Sequence, residues 1–242
     1  MPNYLVVRSS AGEFVDGETI REETRAAAAT RLGTCRSMTD YPRVARETME
    51  RQDRLLAEVQ QRYSIRVACC AGCSYCCHGI VTARAHEVLF TADVIRRRYT
   101  EGELGAIIER CRERHAMIAP LRTAVEQRTV RTACPLLMDG RCGAYEGRPM
   151  VCRTHHSMSV DPCRQWLERS DETSHDDHQH QAIFVQGNSV RVGAYAAYES
   201  AGFDATLYDL GCALYEALTD PRCARRWKDG KKAFSMACRA LE

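Results

Sequence analysis

The sequence predicts a mainly α fold, one compact single domain carrying two irregular cysteine-bearing loops, with a small β-hairpin at the N-terminus. Three observations predict it. Apolar residues recur at helical spacing over much of the 242-residue chain. Two stretches, 68–79 and 133–163, crowd cysteine with glycine and show no period. No internal repeat or low-complexity linker divides the chain. On this reading residues 1–35 form an N-terminal extension and 36–242 the domain proper, with core motifs at 69–163 and C-terminal helices at 190–229.

Taken in order, Tyr4–Val7 and Glu13–Val15 flank a turn at Ala11-Gly12 and predict the hairpin. Thr19–Leu32 is rich in alanine and arginine and reads as a helix stopped at Gly33. Asp40 is expected to cap the next helix, with Pro42 in its first turn and Val44, Met49, Leu55, Leu56 and Val59 at helical spacing as far as Arg62. Thr82 is expected to cap a helix over Ala83–Arg98, and Thr100-Glu101-Gly102-Glu103 is a capping box opening another to Ile118. Pro120 interrupts that helix, which resumes through Gln127. Pro162 opens a short helix to Arg169, and the polar residues 170–181 read as a loop. Ala182–Gln186 suggests a short strand before a turn at Gly187-Asn188, followed by helices over Val190–Ser200, Asp204–Leu218 and Pro221–Trp227. Tyr195, Tyr198, Phe203, Tyr208 and Tyr215 lie near helical spacing and are expected in the core.

Composition narrows the class. Hydrophobic residues at 45% and charged residues at 27% match a globular chain, and a net charge of +2 gives no reason to expect nucleic acid or an anionic membrane as partner. Lysine occurs only at Lys228, Lys231 and Lys232, which with Arg225 and Arg226 form a solvated basic patch. The start of the chain lacks the basic n-region and long apolar core of a signal peptide, and no run approaches the ~20 apolar residues of a membrane helix. A cytoplasmic location is therefore expected. In that reducing setting the 14 cysteines point to metal or redox chemistry rather than to disulfides.

The cysteines fall into groups. Cys69, Cys70, Cys73, Cys76 and Cys77 lie within nine residues, and the last four spell CxxCxxCC, a spacing that lets a turning backbone aim successive thiolates at one point. Cys134, Cys142, Cys152 and Cys163 are spaced more widely and must converge through the fold. Arg153, beside Cys152, is placed to stabilise thiolates. Cys35, Cys111, Cys212, Cys223 and Cys238 have no partner at metal-binding spacing and read as small apolar packing residues. The eight candidate ligands are thus Cys70, Cys73, Cys76, Cys77, Cys134, Cys142, Cys152 and Cys163. They suit an iron–sulfur cluster such as [4Fe-4S], or iron, with zinc as the alternative. The adjacent pair Cys76-Cys77 is expected to point its side chains apart, which favours a wide cluster or two sites over one small ion.

At these residues the chain resembles the CxxCxxCC cysteine-cluster family of zinc- or iron-chelating proteins, the YkgJ type. Cys70-Ala71-Gly72-Cys73-Ser74-Tyr75-Cys76-Cys77 carries the first signature. Cys134-Pro135-Leu136-Leu137, Gly140-Arg141-Cys142, Tyr145-Glu146, Arg148-Pro149 and Cys152-Arg153 carry the second. The resemblance implies that both cysteine groups build one metal-binding region. It carries Cys163 over less firmly and leaves Cys69 as a spare. One branch of the family is similar to flagellin lysine N-methylases that use S-adenosylmethionine, but no glycine-rich nucleotide loop after a strand supports that activity here.

Other polar residues read as secondary. His78 could bond a cluster sulfur. His155 and His156 follow the second motif, and His175, Asp176, Asp177, His178 and His180 form a polar group of the kind that suits iron or zinc, although a solvated loop explains them as well. Three functions remain open on the sequence. The first is an iron–sulfur or iron protein with a redox or substrate-activating role. The others are a zinc-stabilised, non-catalytic binding or chelating module and an S-adenosylmethionine-dependent protein lysine methylase. No catalytic residue, and no protein partner or substrate, can be named from the sequence.

Overall fold

The computed structural model describes residues 6–8, 14–169 and 178–241. The chain is mostly helical, as expected. β1 (Val6–Arg8) and β2 (Phe14–Asp16) pair antiparallel as the N-terminal hairpin, with its turn outside the described residues. Asp16 then caps α1 (Gly17–Thr34), its carboxylate accepting the Glu18 and Thr19 amides at 3.1 Å. In α2 (Asp40–Arg62) the N-cap is Thr39 and not Asp40. Asp40 turns its carboxylate back onto the amides of Arg36 and Ser37, at 2.9 and 2.8 Å, and these bonds hold its carboxyl down to about 2.

Thr82 does not cap a helix. It opens β3 (Thr82–Arg84), which pairs with a distant segment, and α3 (Ala85–Arg98) starts only after Arg84. The buried Glu87 closes that start by accepting the Arg84 amide at 2.9 Å. The capping box ahead of α4 (Glu101–Ile118) is present, with the Thr100 amide and hydroxyl both donating to Glu103, at 2.9 and 2.7 Å. After the break at Pro120, α5 (Ala124–Arg128) is one short turn.

Residues 133–163 are more ordered than expected. β4 (Leu137–Met138) and β5 (Arg141–Cys142) form a tight hairpin whose tip, Asp139-Gly140, has φ of +49° and +73°. Both tip residues are left-handed, as a two-residue hairpin turn requires, and Asp-Gly is the dipeptide that supplies this most readily. α6 (Met150–Thr154) and α7 (Val160–Glu168) follow.

The expected strand over Ala182–Gln186 is overturned, because these residues form the first turns of α8 (Gln181–Ser200). Gly187 marks a close approach rather than a turn: a Cβ there would sit 2.6 Å from the Thr154 hydroxyl. Gly193 does the same against α1, where a Cβ would meet the Arg21 carbonyl at 2.3 Å. The expected helix over Asp204–Leu218 is also split. Leu207–Asp209 is β6, the partner of β3, and α9 (Leu210–Thr219) begins with Asp209 as its cap. α10 (Cys223–Lys228) follows.

The main core gathers around α3, whose Val88, Phe90, Val94 and Ile95 meet Met49 of α2, Tyr198 of α8 and Leu214 of α9, all buried. Tyr195, Tyr198 and Tyr208 are buried, and Phe203 and Tyr215 pack on this core, as expected. A second, smaller cluster joins Leu56, Val59 and Ile65 to Ala182, Ile183 and Val185. No described helix is long and apolar enough to cross a membrane.

Candidate metal centre

The first cysteine loop leaves α2 and is built from consecutive turns. The Ala68 amide donates to the Ser157 carbonyl at 2.8 Å, and the Ser157 amide donates to Cys69 Sγ at 3.3 Å. Cys70 and Cys73 close a turn at 3.0 Å over Gly72, whose φ of +92° is a left-handed geometry open to glycine. Tyr75–His78 is a single 3-10 turn carrying Cys76 and Cys77. Their thiols lie close enough to interact, which is not the wide separation expected of the pair, and the interaction holds Cys76 well above the ordinary thiol range while drawing Cys77 below it.

The second loop is bonded directly onto the first. The Thr132 amide donates to the His78 carbonyl at 2.8 Å, and the Cys134 amide donates to the Cys77 carbonyl at 2.6 Å. Cys142 ends β5. Cys152 rides on α6, whose first amide, Met150, is held at 2.8 Å by the buried Glu87. Tyr195 donates its hydroxyl to the same carboxylate at 2.5 Å. Cys163 is buried on α7 and makes only a weak contact to the Ser159 carbonyl at 3.9 Å. Trp166 of the same helix lies over Gly79, where a Cβ would come within 2.8 Å of the indole.

The thiols that feel one another's charge fall into two sets. Cys77, Cys134, Cys142 and Cys152 form one. Cys69, Cys70, Cys73 and Cys163 form the other; the two meet at Cys76, which feels Cys77, Cys152 and Cys69, and at Cys73, which also feels Cys77, while Cys111 feels Cys134 from outside both loops. Desolvation is the largest influence on most of these thiols and favours S–H: it pushes Cys134 up to about 12, Cys152 well above its ordinary range, and Cys69, Cys73 and Cys142 upward too. Backbone amides act the other way. The amides of Tyr75, Leu136 and Ala144, each two residues downstream, draw the thiols of Cys73, Cys134 and Cys142 back down. An amide donor at a sulfur favours the thiolate.

The cation that both Cys142 and Cys152 feel is Arg148, stacked 3.8 Å from the Tyr145 ring centroid. Arg153, the arginine adjacent to Cys152 in sequence, is committed elsewhere. Its side chain bonds Asp53 and the carbonyls of Arg148 and Glu146, which makes it a fastener for the second loop. His78 bonds the Ser74 carbonyl at 3.1 Å through Nδ1. His156 is buried with both nitrogens engaged: Nδ1 bonds the Thr154 carbonyl at 2.9 Å, and Nε2 accepts the His180 amide at 2.8 Å. His180 caps α8. His175, Asp176 and Asp177 lie outside the described residues.

Sequence reasoning missed Arg114. This buried guanidinium bonds Asp209 at 2.8 Å, the Gly79 carbonyl at 2.9 Å and the Thr132 carbonyl at 3.3 Å, so one side chain ties both cysteine loops to the start of α9. A lone arginine on a helix gives no sequence signal of such a role. Glu216, Asp220 and Cys223 are, among the described residues, three potential ligands whose donor atoms lie within 4.8 Å of one another. Arg226 already supplies the positive charge there, bonding Glu216 at 2.8 Å and Asp220 at 2.7 Å. Glu216 also takes the amides of Ser235, Met236 and Ala237.

Thiols gathered from three short segments, with amide donors on their sulfurs and cations at their edge, define a cysteine-based metal-chelating domain. Residues 68–183 match the family described as CxxCxxCC: Putative zinc- or iron-chelating domain. No curated protein and no solved structure matches the chain.

Proposed function

We propose that the chain holds iron in iron–sulfur centres through Cys77, Cys134, Cys142 and Cys152 on one side and Cys70, Cys73 and Cys163 on the other, with Cys76 between them completing the second set. The observation that carries this reading is the direct bonding of one cysteine loop onto the other, the Cys134 amide on the Cys77 carbonyl at 2.6 Å, with backbone amides drawing down the thiols of Cys73, Cys134 and Cys142. Such amides stabilise sulfur as a ligand and tune the potential of a cluster bound to it. Four ligands of one tetrahedral zinc would bring their sulfurs to roughly 3.8 Å from one another. An iron–sulfur cluster takes its thiolates through separate irons and so accepts sulfurs spaced more widely than that.

Bound clusters would supply one-electron chemistry or an iron on which substrate binds. The chain itself desolvates the thiols, aims amides at them and places Arg148 beside the first set to offset the negative charge of a loaded centre. Zinc is the second reading, favoured by the contact between Cys76 and Cys77, which a small ion accommodates.

The test is iron, zinc and acid-labile sulfide content of anaerobically purified protein. Iron with sulfide is expected, with Cys134→Ser and Cys73→Ser each removing about half, as two four-thiolate centres require, and Cys111→Ala removing none. Zinc without sulfide would establish the second reading, and the absence of both metals would sink the proposal. Cys69→Ala compared with Cys163→Ala decides which of the two completes the second set.

A further inference from the structure

Away from the cysteines, the start of α2, α3 and α10 enclose a cleft of about 480 Å³. That volume lies within the ~300–1,000 Å³ of small-molecule sites. Its walls are aromatic and apolar, with Tyr41, Leu89, Phe90 and Trp227 among the lining residues. His86 also lines it, is buried, and has neither ring nitrogen hydrogen-bonded. The indole N–H of buried Trp227 is likewise unpartnered, as is the hydroxyl of Tyr198, whose ring stacks on His86 at 3.8 Å with an interplanar angle of 9°. An unpaired buried polar group costs roughly 1–3 kcal/mol, so three adjoining ones mark a place where a partner is missing.

The rim is positively charged. Arg43, Arg46, Arg96 and Arg97 line it with one acid, Asp93, which Arg97 pairs at 3.0 Å, while Asp40, Glu47 and Glu50 stand behind Arg43 and Arg46. Arg43 and Arg46 are half exposed and make only long ion pairs, at 3.6 and 4.0 Å for Arg43 and 3.8 Å for Arg46. Both keep guanidinium N–H groups for an incoming anion.

We infer that this cleft binds a small planar aromatic anion, with its ring against Tyr41 and Leu89, a polar edge toward His86, and its carboxylate or phosphate on Arg43 and Arg46. The site shares no residue with the thiolate sets and does not depend on which metal they hold.

The test is calorimetric titration of the full chain with naphthalene-2-carboxylate, using naphthalene-2-carboxamide as the uncharged control. Saturable binding of one carboxylate per chain is expected. The carboxamide should bind roughly tenfold more weakly, and Arg43→Gln and Arg46→Gln should each weaken the carboxylate roughly tenfold, the scale of one lost charge-assisted bond. Leu89→Trp, which fills the cleft, should abolish binding. If that variant fails to fold, the two exposed arginine variants still decide the matter. No saturable binding, equal affinity for the carboxamide, or affinity unmoved by the arginine substitutions would overturn the inference and leave the orphaned groups to water.

Discussion

In the helical frame, Cys223 points its thiol at the Glu216 carbonyl, 3.5 Å away, and Cys35 points its own at the Arg31 carbonyl, 3.4 Å away. In the cysteine loops the direction reverses: Cys69 accepts an amide N–H, and backbone amides draw down the thiols of Cys73, Cys134 and Cys142. Desolvation pushes both kinds of thiol upward, Cys111 and Cys134 alike to about 12. Burial therefore does not tell a packing cysteine from a ligand. The two groups differ in their backbone surroundings, with Cys35 and Cys223 facing carbonyls and Cys69 facing an amide. Cys163, with only its weak contact to the Ser159 carbonyl, stands between the two kinds.

The frame holds the loops through few bonds, and breaking those should have the largest effect. Arg114→Ala leaves Asp209 charged and buried and frees the carbonyls of Gly79 and Thr132. Removing one partner of a buried pair costs about 3–5 kcal/mol. Chemical denaturation should show that loss, and metal content should fall with it. If stability drops while metal is retained, the loops hold themselves together without the frame.

A smaller effect is expected from His86, at the heart of the frame. Burial, with Arg84 nearby, pushes its pKa down from 6.5 to about 3. Below about 6.5 the unfolded chain takes up a proton that the folded chain refuses. The stability His86 contributes is thus complete above that pH and is lost progressively as pH falls toward 3. Between about pH 7 and pH 5 the loss should be about 2 kcal/mol in urea denaturation. His86→Phe should remove that part of the pH dependence, leaving the share of His156, which burial also lowers. An unchanged slope would mean that His86 is not desolvated as described. The smallest effect belongs to Thr100→Ala, which removes the hydroxyl of the α4 capping box at about 1 kcal/mol. Metal content should not change, because this cap lies in the frame and touches neither loop.

The parts of the fold legible in the sequence are those fixed by neighbours along the chain. The Thr100–Glu103 box, the span of α2 and the N-terminal hairpin all rest on local chemistry. The parts that were not legible rest on tertiary contact. Ala182–Gln186 has the β-branched look of a strand, but the helix wins because Gly187 and Gly193 let Thr154 and α1 pack directly against its backbone. Thr82 has the look of a cap, but its segment is taken by pairing with Leu207–Asp209. Asp139-Gly140 is a local hairpin signal too, masked by the cysteine and glycine density of the stretch around it. At the candidate metal centre, spacing singled out the cysteines; it could not reveal Arg114, or that Arg148 joins Arg153 beside Cys152.

The bond from the Cys134 amide to the Cys77 carbonyl also orders events during synthesis. The first motif emerges while the second is still unmade, and Asp209, the partner of Arg114, appears later still. A thiolate set shared between the two loops cannot close until that long stretch of chain has been folded back, and contacts so distant in sequence form slowly. Until then the nascent protein would carry five reduced thiols in one exposed loop, so its most oxygen-vulnerable moment falls before its metal can be gripped.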